Sequence, residues 1–186
     1  MEIVDKGFWD YVQKWRQAFP EERRLRWEND WLQNEYCVDC RFCCGPQDSS
    51  VPFPMALSSS QIRDNAAARF HMLDCRTACL TAAGCKSDGP DGCALDLPDK
   101  PLACGLFPIV LANGGLYLYQ NCPAVVFTPL IRFLDIARKA AQRFEALTLD
   151  ELRHISLWLT ADKLAAGYID LRIGIFDATR KNLILK

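Results

Sequence analysis

The chain has 186 residues, of which 50% are hydrophobic and 24% are charged, and its formal net charge is −1. This composition predicts a globular protein with a real core, and it excludes a disordered chain and a general attraction to nucleic acid or anionic membranes. The N-terminus carries acids where a signal peptide needs bases, and the apolar stretches are too short to cross a bilayer. We therefore expect a cytoplasmic protein. In a reducing compartment its ten cysteines indicate metal ligands or redox groups, whereas an export route would leave disulfides as the alternative.

The first 35 residues are rich in aromatic side chains and are predicted to be helical. Spacings of three and four residues place one apolar stripe on a helix, formed by Phe8, Val12, Trp15 and Phe19. A second helix is predicted to begin at Pro20, whose φ suits a first helical position, and to run towards Tyr36. Its apolar positions are Leu25, Trp27, Trp31 and Leu32.

The segment Y-C-V-D-C-R-F-C-C-G that follows places four cysteines within eight residues, namely Cys37, Cys40, Cys43 and Cys44. Soft thiolate ligands favour zinc, copper(I) or iron–sulfur clusters over hard cations. A structural zinc site usually pairs one C-x-x-C turn with a second one or with a histidine pair, and no second C-x-x-C lies downstream. Three cysteines in C-x2-C-x2-C with isolated distant cysteines are more typical of a [4Fe–4S] cluster, which we favour over zinc.

The middle of the chain is predicted to hold one long helix and several cysteine-bearing loops. Ser58 and Gln61 resemble a capping box, so the helix is expected from about Ser59 to Ala82. The helix would carry Cys75 and Cys79 on one face, and Cys85 follows its end. These three cysteines could form a second metal site, or they could be small buried side chains. Two more cysteines follow turn-rich loops, Cys93 and Cys104.

The last third of the chain gives the clearest local signals. Strands are predicted over 107–112 and 116–120 around Asn113-Gly114-Gly115, with Cys122 just beyond the second strand. A helix is expected to be capped by Thr128, with a buried face of Leu130, Phe133, Leu134, Ala137, Ala141 and Phe144. Thr148 and Glu151 predict a capping box for a further helix reaching Leu159. The alternating segment 168–177 predicts a strand onto which 183–185 would pair.

Together these elements predict an α+β fold, mainly helical with a small antiparallel β-hairpin or sheet, organised around a cysteine-ligated metal or Fe–S site. We expect an N-terminal helical segment over 1–35 and a cysteine-cluster domain over 36–123. The C-terminal helices and β-hairpin over 124–186 are expected to pack on the same core.

Two motifs resemble one known family. The run C-V-D-C-R-F-C-C-G resembles the C-x-x-C-x-x-C-C signature of the YkgJ-type cysteine-cluster proteins, described as a zinc- or iron-chelating domain. The segment C-A-L-D-L-P-D-K-P-L-A-C-G-L-F-P, from Cys93 to Pro108, resembles the family's second element, and the resemblance spans roughly residues 36–123. The chain departs from the family pattern at Arg41 and Phe42, where many members have a glycine, and at Lys100, where an arginine is usual.

The resemblance implies five ligands, and Cys43 and Cys122 are further candidates. The implied ligands are Cys37, Cys40, Cys44, Cys93 and Cys104. This set is larger than one four-ligand site needs. Either some of these cysteines are spectators or a second site exists.

These observations predict a metal-binding protein that holds a [4Fe–4S] cluster, for electron transfer or as an accessory to a partner enzyme. Its expected partner is a protein, either a redox partner or an enzyme, rather than nucleic acid or a membrane. The alternative is a structural zinc-binding interaction module, whose folding would depend on the metal. The resemblance also implies a third hypothesis, that the protein is a cluster-dependent enzyme, because flagellin lysine-N-methylases carry a similar cysteine signature.

Overall fold

The structure is a computed structural model that describes residues 10, 13–14, 16–18, 23–40, 43–45, 53–63, 66–90 and 92–177. Of the described residues, 41% are helical and 28% lie in strands. The strands form four small antiparallel sheets. The prediction of a mainly helical fold is therefore wrong, because two segments predicted as helix contain strands.

The first such segment forms a hairpin rather than the predicted second helix. Strand β1 (Leu25–Glu28) pairs with β2 (Trp31–Asn34), and helix α1 (Tyr36–Cys40) follows this hairpin. Asn29 and Asp30 between them have φ values of 50° and 64°, the left-handed conformation that a two-residue turn requires and that Asn and Asp tolerate. Burial alternates along β1, so the period of its apolar residues is that of a strand.

The second such segment is the predicted helix over 59–82. Its described residues form the short helices α2 (Ser59–Arg63) and α3 (Ala66–Arg69), which are followed by strands β4 (His71–Met72) and β5 (Thr77–Leu80). Strand β5 is buried at all four positions and lies between β4 and β3, which spans Phe53–Ala56. The Asp74 carboxylate accepts the N–H of Arg76 at 2.7 Å, and this local turn competes with a continuing helix.

A smaller hairpin and two short helical turns complete the cysteine-rich part of the chain. Strand β6 (Asp88–Gly89) pairs with β7 (Gly92–Cys93). A 3-10 turn at Leu97–Asp99 then leads into helix α4 (Leu102–Gly105).

The C-terminal part contains the predicted hairpin and helices. Strands β8 (Ile109–Ala112) and β9 (Gly115–Tyr119) pair around Asn113 and Gly114, whose φ values of 48° and 83° confirm the expected turn. Strand β10 (Tyr168–Gly174) joins the other edge of β9, which confirms the strand predicted there. The two predicted helices are α6 (Leu130–Glu145) and α7 (Leu149–Ile155), and two helices that were not predicted flank them, α5 (Pro123–Phe127) and α8 (Ala161–Gly167).

Details at the ends of these helices differ from the expectation. Pro129 rather than Thr128 precedes α6, and Leu130 at its start is exposed. The capping box of Thr148 and Glu151 is present, but α7 ends at Ile155 instead of reaching Leu159. These differences are of a few residues, as is usual where helix ends are read from sequence.

The main apolar core lies between α6 and the β8–β9–β10 sheet. Its central side chains include Leu116, Leu118 and Phe133, none of which is exposed to solvent. Trp31 joins this core from β2, and its ring packs on Gly105, where an added Cβ would lie 2.1 Å from the ring. Arg143 stacks over the same indole at 4.8 Å from its centroid. The core therefore draws in residues from all three predicted segments of the chain.

Some predictions fall outside the described residues. The apolar stripe of Phe8, Val12, Trp15 and Phe19, the helix start at Pro20 and the pairing of 183–185 all lie there. In the described part of the chain, no helix combines the length and the apolar character needed to cross a membrane.

Candidate metal centre

The cysteine run begins at helix α1 (Tyr36–Cys40), which is anchored to the main core. Tyr36 is buried and its ring stacks on Phe127 with 6.2 Å between centroids. Its backbone N–H donates to the Asn34 side-chain oxygen at 3.1 Å. This attachment holds Cys37 and Cys40 on α1, and the chain then turns through Cys43 and Cys44.

Helix α1 lies between two other cysteine-bearing elements. It contacts helix α5, whose N-cap residue is Cys122, and it contacts strand β7, which ends at Cys93. All ten cysteines are described, and all are free thiols. The structure therefore brings cysteines from distant parts of the sequence to α1 without joining them by disulfides.

We call Cys37, Cys40, Cys43 and Cys122 the helix-side thiols. Burial, together with the charges of the neighbouring thiols, raises the pKa of Cys43 to about 12. Burial also raises the pKa of Cys122 to about 12, and Cys40 adds to that shift. Cys37 is exposed to solvent as a residue, but the protein shields its sulfur from water, and this desolvation strongly raises the pKa of its thiol. Among the neighbouring charges, that of Cys122 raises the pKa of Cys37 most. These four thiols therefore lie within electrostatic reach of one another and of Cys44, which also raises the pKa of Cys37 and of Cys43.

We call Cys44, Cys85, Cys93 and Cys104 the hairpin-side thiols. The backbone N–H of Cys85 donates to the Cys44 carbonyl at 2.7 Å. Gly84 makes this approach possible, because its φ is 82° and an added Cβ would lie 2.8 Å from the same carbonyl oxygen. The turn before Cys85 is thus pressed directly against Cys44.

Electrostatics link the other hairpin-side thiols in the same way. Burial raises the pKa of Cys44 to about 11, with further increases from Cys85, Asp88 and Cys93, while Lys100 lowers it. The pKa of Cys104 lies well above its usual range because of desolvation and then the charge of Cys44. Cys104 is exposed as a residue, but its sulfur lies 3.4 Å from the Met55 sulfur, so its inner side is packed against strand β3.

One sulfur in each group has backbone donors beside it. The backbone N–H groups of Ser87 and Asp88 lower the pKa of Cys85, and those of Ala124 and Val125 lower the pKa of Cys122. Burial raises both pKa values by more than these groups lower them. Hydrogen bonds to sulfur are a known means by which proteins orient and tune thiolate ligands. The pKa of both thiols nevertheless stays above its usual value, because burial outweighs these groups.

Asn34 adds a buried donor beside Cys122. Its side chain lowers the pKa of Cys122, but its Nδ2 atom has no partner in hydrogen-bond geometry among the described residues. The amide therefore lies near the sulfur without completing a hydrogen bond. A buried donor without an acceptor costs about 1–3 kcal/mol, and a thiolate drawn slightly closer would satisfy it.

The donor set fits a soft metal or an iron–sulfur cluster in its chemistry. In the described ranges, however, no three His, Cys, Asp or Glu side chains converge closely enough to form a metal-binding group. Thiols with raised pKa values are neutral near pH 7 and are poor nucleophiles, unlike the activated cysteines of thiol enzymes. A bound cation would stabilise the thiolates and offset their repulsion.

The other two cysteines lie elsewhere. Cys75 is exposed in the turn before β5, and Cys79 is buried within β5, where it pairs in register with Pro54 and His71. The predicted helix face shared by Cys75 and Cys79 does not exist, because this segment is a turn and a strand. Of the predicted trio, Cys85 is the member that the structure brings next to the cysteine run.

Three residues that support the thiols were not singled out from the sequence. Gly84 directly precedes Cys85, and a glycine beside a ligand cysteine is a signal that could have been used. Asn34 and Met55 carry no such signal, because their positions depend on how β2 and β3 pack against the cysteine-bearing elements.

No family model, no curated protein and no solved structure matches this chain. The resemblance to the YkgJ-type family therefore stays a prediction that rests on the two cysteine motifs.

Proposed function

We propose that this chain is a cytoplasmic metal-binding protein whose cysteines hold a [4Fe–4S] cluster for electron transfer or as an accessory to a partner enzyme. The observation that carries this proposal is that α1, with Cys37 and Cys40, contacts two elements that bring cysteines from distant parts of the chain. Helix α5 brings Cys122 and strand β7 brings Cys93, while the Cys85 N–H donates to the Cys44 carbonyl. Thiolates are the donors that soft metals and iron–sulfur clusters prefer.

Two features favour a cluster: some of the thiols are exposed at the surface, and others have backbone N–H groups nearby. Cys37, Cys93 and Cys104 are exposed, so a redox group held there lies close to a docking partner. Backbone N–H groups beside Cys85 and Cys122 are of the kind that tune cluster potentials. When bound, the cluster supplies one-electron chemistry, while the chain supplies its thiolates and its surroundings.

The cytoplasmic location is supported by the state of the cysteines. Ten free thiols are typical of a compartment in which glutathione and thioredoxin keep cysteines reduced.

Anaerobic purification tests the proposal directly. We expect iron and acid-labile sulfide in comparable amounts, and a broad visible absorption that a reductant bleaches reversibly. Paramagnetic resonance of the reduced protein would identify the cluster type. Protein that is colourless and holds only zinc, even after anaerobic reconstitution with iron and sulfide, would contradict the cluster.

A structural zinc domain is the second candidate, and one observation favours it. In the described part of the chain, the apolar cluster around the hairpin-side thiols has five buried residues and a few partly buried ones packed against them. The buried residues are Met55, Leu57, Phe70, Ala78 and Leu80. A region with so small a core commonly needs a metal to fold. If zinc is the metal, chelation will unfold this region and the protein will show no redox signal; reversible bleaching by a reductant would exclude this candidate.

A further inference from the structure

A cavity of about 380 Å³ lies between the β1–β2 hairpin and the C-terminal turns of α6. Its volume falls within the range of roughly 300–1,000 Å³ that is usual for pockets that bind small molecules. Its described lining residues include no cysteine, and they are Trp27, Asp30, Lys139, Gln142, Arg143 and Ala146. The cavity is therefore distinct from the thiols around α1.

The wall of the cavity that α6 forms is positively charged. Lys139 and Arg143 are four positions apart on this helix and so lie on one face, where like charges repel and slightly destabilise a helix. Arg138 forms an ion pair with Asp135 at 3.0 Å, but neither Lys139 nor Arg143 has such a pair among the described residues. The Arg143 guanidinium is held in place over the Trp31 ring. This wall therefore offers two cations to an anionic group of a ligand.

The wall that the hairpin forms carries the opposite charge. Asp30 lies in the β1–β2 turn, is exposed, and forms no ion pair within the part of the chain that the structure describes. Its carboxylate would repel a simple anion, but it would attract the ammonium group of a ligand that carries both charges. The negative end of the α6 dipole, at Ala146, favours the same ammonium group. The two walls together therefore match a zwitterion rather than an anion.

Trp27 supplies an apolar surface beside these charges. It is half-buried, because it packs against the main core and also lines the cavity. An indole in such a position gives an aromatic or aliphatic group of a ligand a flat surface on which to pack.

We propose that this cavity binds a small zwitterion with an apolar part, the chemistry of a free α-amino acid with an aromatic or aliphatic side chain. The carboxylate of the ligand contacts Lys139 and Arg143, its ammonium group contacts Asp30, and its side chain packs on Trp27. This site is separate from the proposed metal centre and goes beyond the proposed function, since it uses none of the thiols.

A set of related ligands tests the proposal. L-phenylalanine, 3-phenylpropionate and phenethylamine share one ring, and the last two compounds each lack one of the two charges. Titration calorimetry of the full-length protein, purified anaerobically, measures the dissociation constant of each, with L-leucine as an aliphatic amino acid. We expect L-phenylalanine to bind about fivefold more tightly than either singly charged compound, the gain that a partly exposed ion pair can give. Equally tight binding of 3-phenylpropionate, or no binding of either amino acid, would overturn the proposal.

Two variants assign the charges of the ligand to the two walls. Lys139→Met removes a cation, and Asp30→Asn removes the carboxylate while keeping a residue type that tolerates the φ of 64° found there. We expect Lys139→Met to weaken L-phenylalanine but not phenethylamine. Asp30→Asn should weaken L-phenylalanine and strengthen 3-phenylpropionate, because the repulsion of its carboxylate is removed. A misfolded variant would instead lose affinity for all the ligands alike, and circular dichroism identifies such a variant.

Arg138→Met and Glu28→Gln are the matched controls. They remove the same charges from the same helix and hairpin, but neither residue is among those that line the cavity, and each has an ion-pair partner of its own. Both controls should bind L-phenylalanine as the wild-type protein does. If they weaken it as much as the cavity variants do, the overall charge of the protein is responsible and the cavity is not the site.

Discussion

The two halves of the described structure differ in the size of their apolar cores and in the length of their elements. The segment Phe53–Gly105 consists of helices and strands of two to five residues around a small apolar cluster. The segment from Ile109 to Gly174 has a sixteen-residue helix, a three-stranded sheet and the larger apolar core. Apolar burial therefore orders the second segment, whereas the metal proposed above is expected to contribute much of the order of the first.

Of the changes considered, removal of the metal is expected to have the largest effect, and to affect the stability of the first segment far more than that of the second. Structural zinc contributes on the order of 10 kcal/mol to the folding of small zinc domains. Treating the metal-loaded protein with a chelator should therefore abolish amide protection over 53–105 while protection over 109–145 persists. Hydrogen exchange followed by mass spectrometry measures both, and adding metal back should restore the first segment. Equal loss of protection in both segments would contradict the division.

Phe133→Ala should weaken the second segment instead. Its ring is fully buried in the main core, and removing such a side chain typically costs about 3–5 kcal/mol. Urea denaturation of the metal-loaded protein measures the loss. Leu130→Ala is the control, because Leu130 lies on the same helix but is exposed, and it should cost far less. If the two variants were equally stable, α6 would not carry the core.

Gly84→Ala tests how the hairpin-side thiols are positioned without removing a sulfur. The added methyl group would strike the Cys44 carbonyl and would force an alanine to a φ of 82°, which together cost about 1–3 kcal/mol. Gly92→Ala is the control, since its φ is 98° but nothing lies within 4 Å of an added Cβ. Metal affinity should fall in Gly84→Ala and much less in Gly92→Ala. An equal fall would show that backbone strain, rather than the contact with Cys44, is responsible.

Thr148→Ala removes the capping box of α7 and should cost about 1 kcal/mol. The Thr148 hydroxyl accepts the Glu151 N–H, while the Glu151 carboxylate accepts the Thr148 N–H at 3.0 Å. Thr160→Ala, which removes a cap without the reciprocal bond, should cost less by thermal denaturation. The reverse order would mean that the reciprocal bond adds nothing.

The smallest effect should be a pH dependence from the same carboxylate. Hydrogen bonds from the Thr148 backbone and hydroxyl, and from Ser59, hold the pKa of Glu151 below its usual value. The Glu151 carboxylate therefore stabilises the fold fully at a pH above the ordinary glutamate pKa. This stabilisation is lost as the pH falls through the lowered pKa of Glu151 in the folded protein. It should be slight because the side chain is largely in water. The stability difference between wild type and Glu151→Gln should shrink on acidification; a constant difference would contradict it.

Elements defined by local chemistry were predicted from the sequence. The turn at Asn113-Gly114, the capping box of Thr148 and the apolar face of α6 depend on residues close together in the chain. The hairpin over 25–34 carried a comparable signal in Asn29-Asp30, but the aromatic spacing suggested a helix instead. Strand β5 had no such signal, because its conformation depends on β3 and β4 pairing along both edges.

The cysteine site shows the same division between local and distant information. The sequence by itself determined which donors a metal would meet, because thiolates favour soft metals over hard ones whatever the fold. Only the tertiary structure decided which thiols are neighbours: it brought Cys85 against Cys44, brought Cys122 beside α1 and left Cys75 and Cys79 apart. The reason is physical, since spacing along a chain limits only near neighbours, while contacts between distant cysteines depend on how whole elements pack.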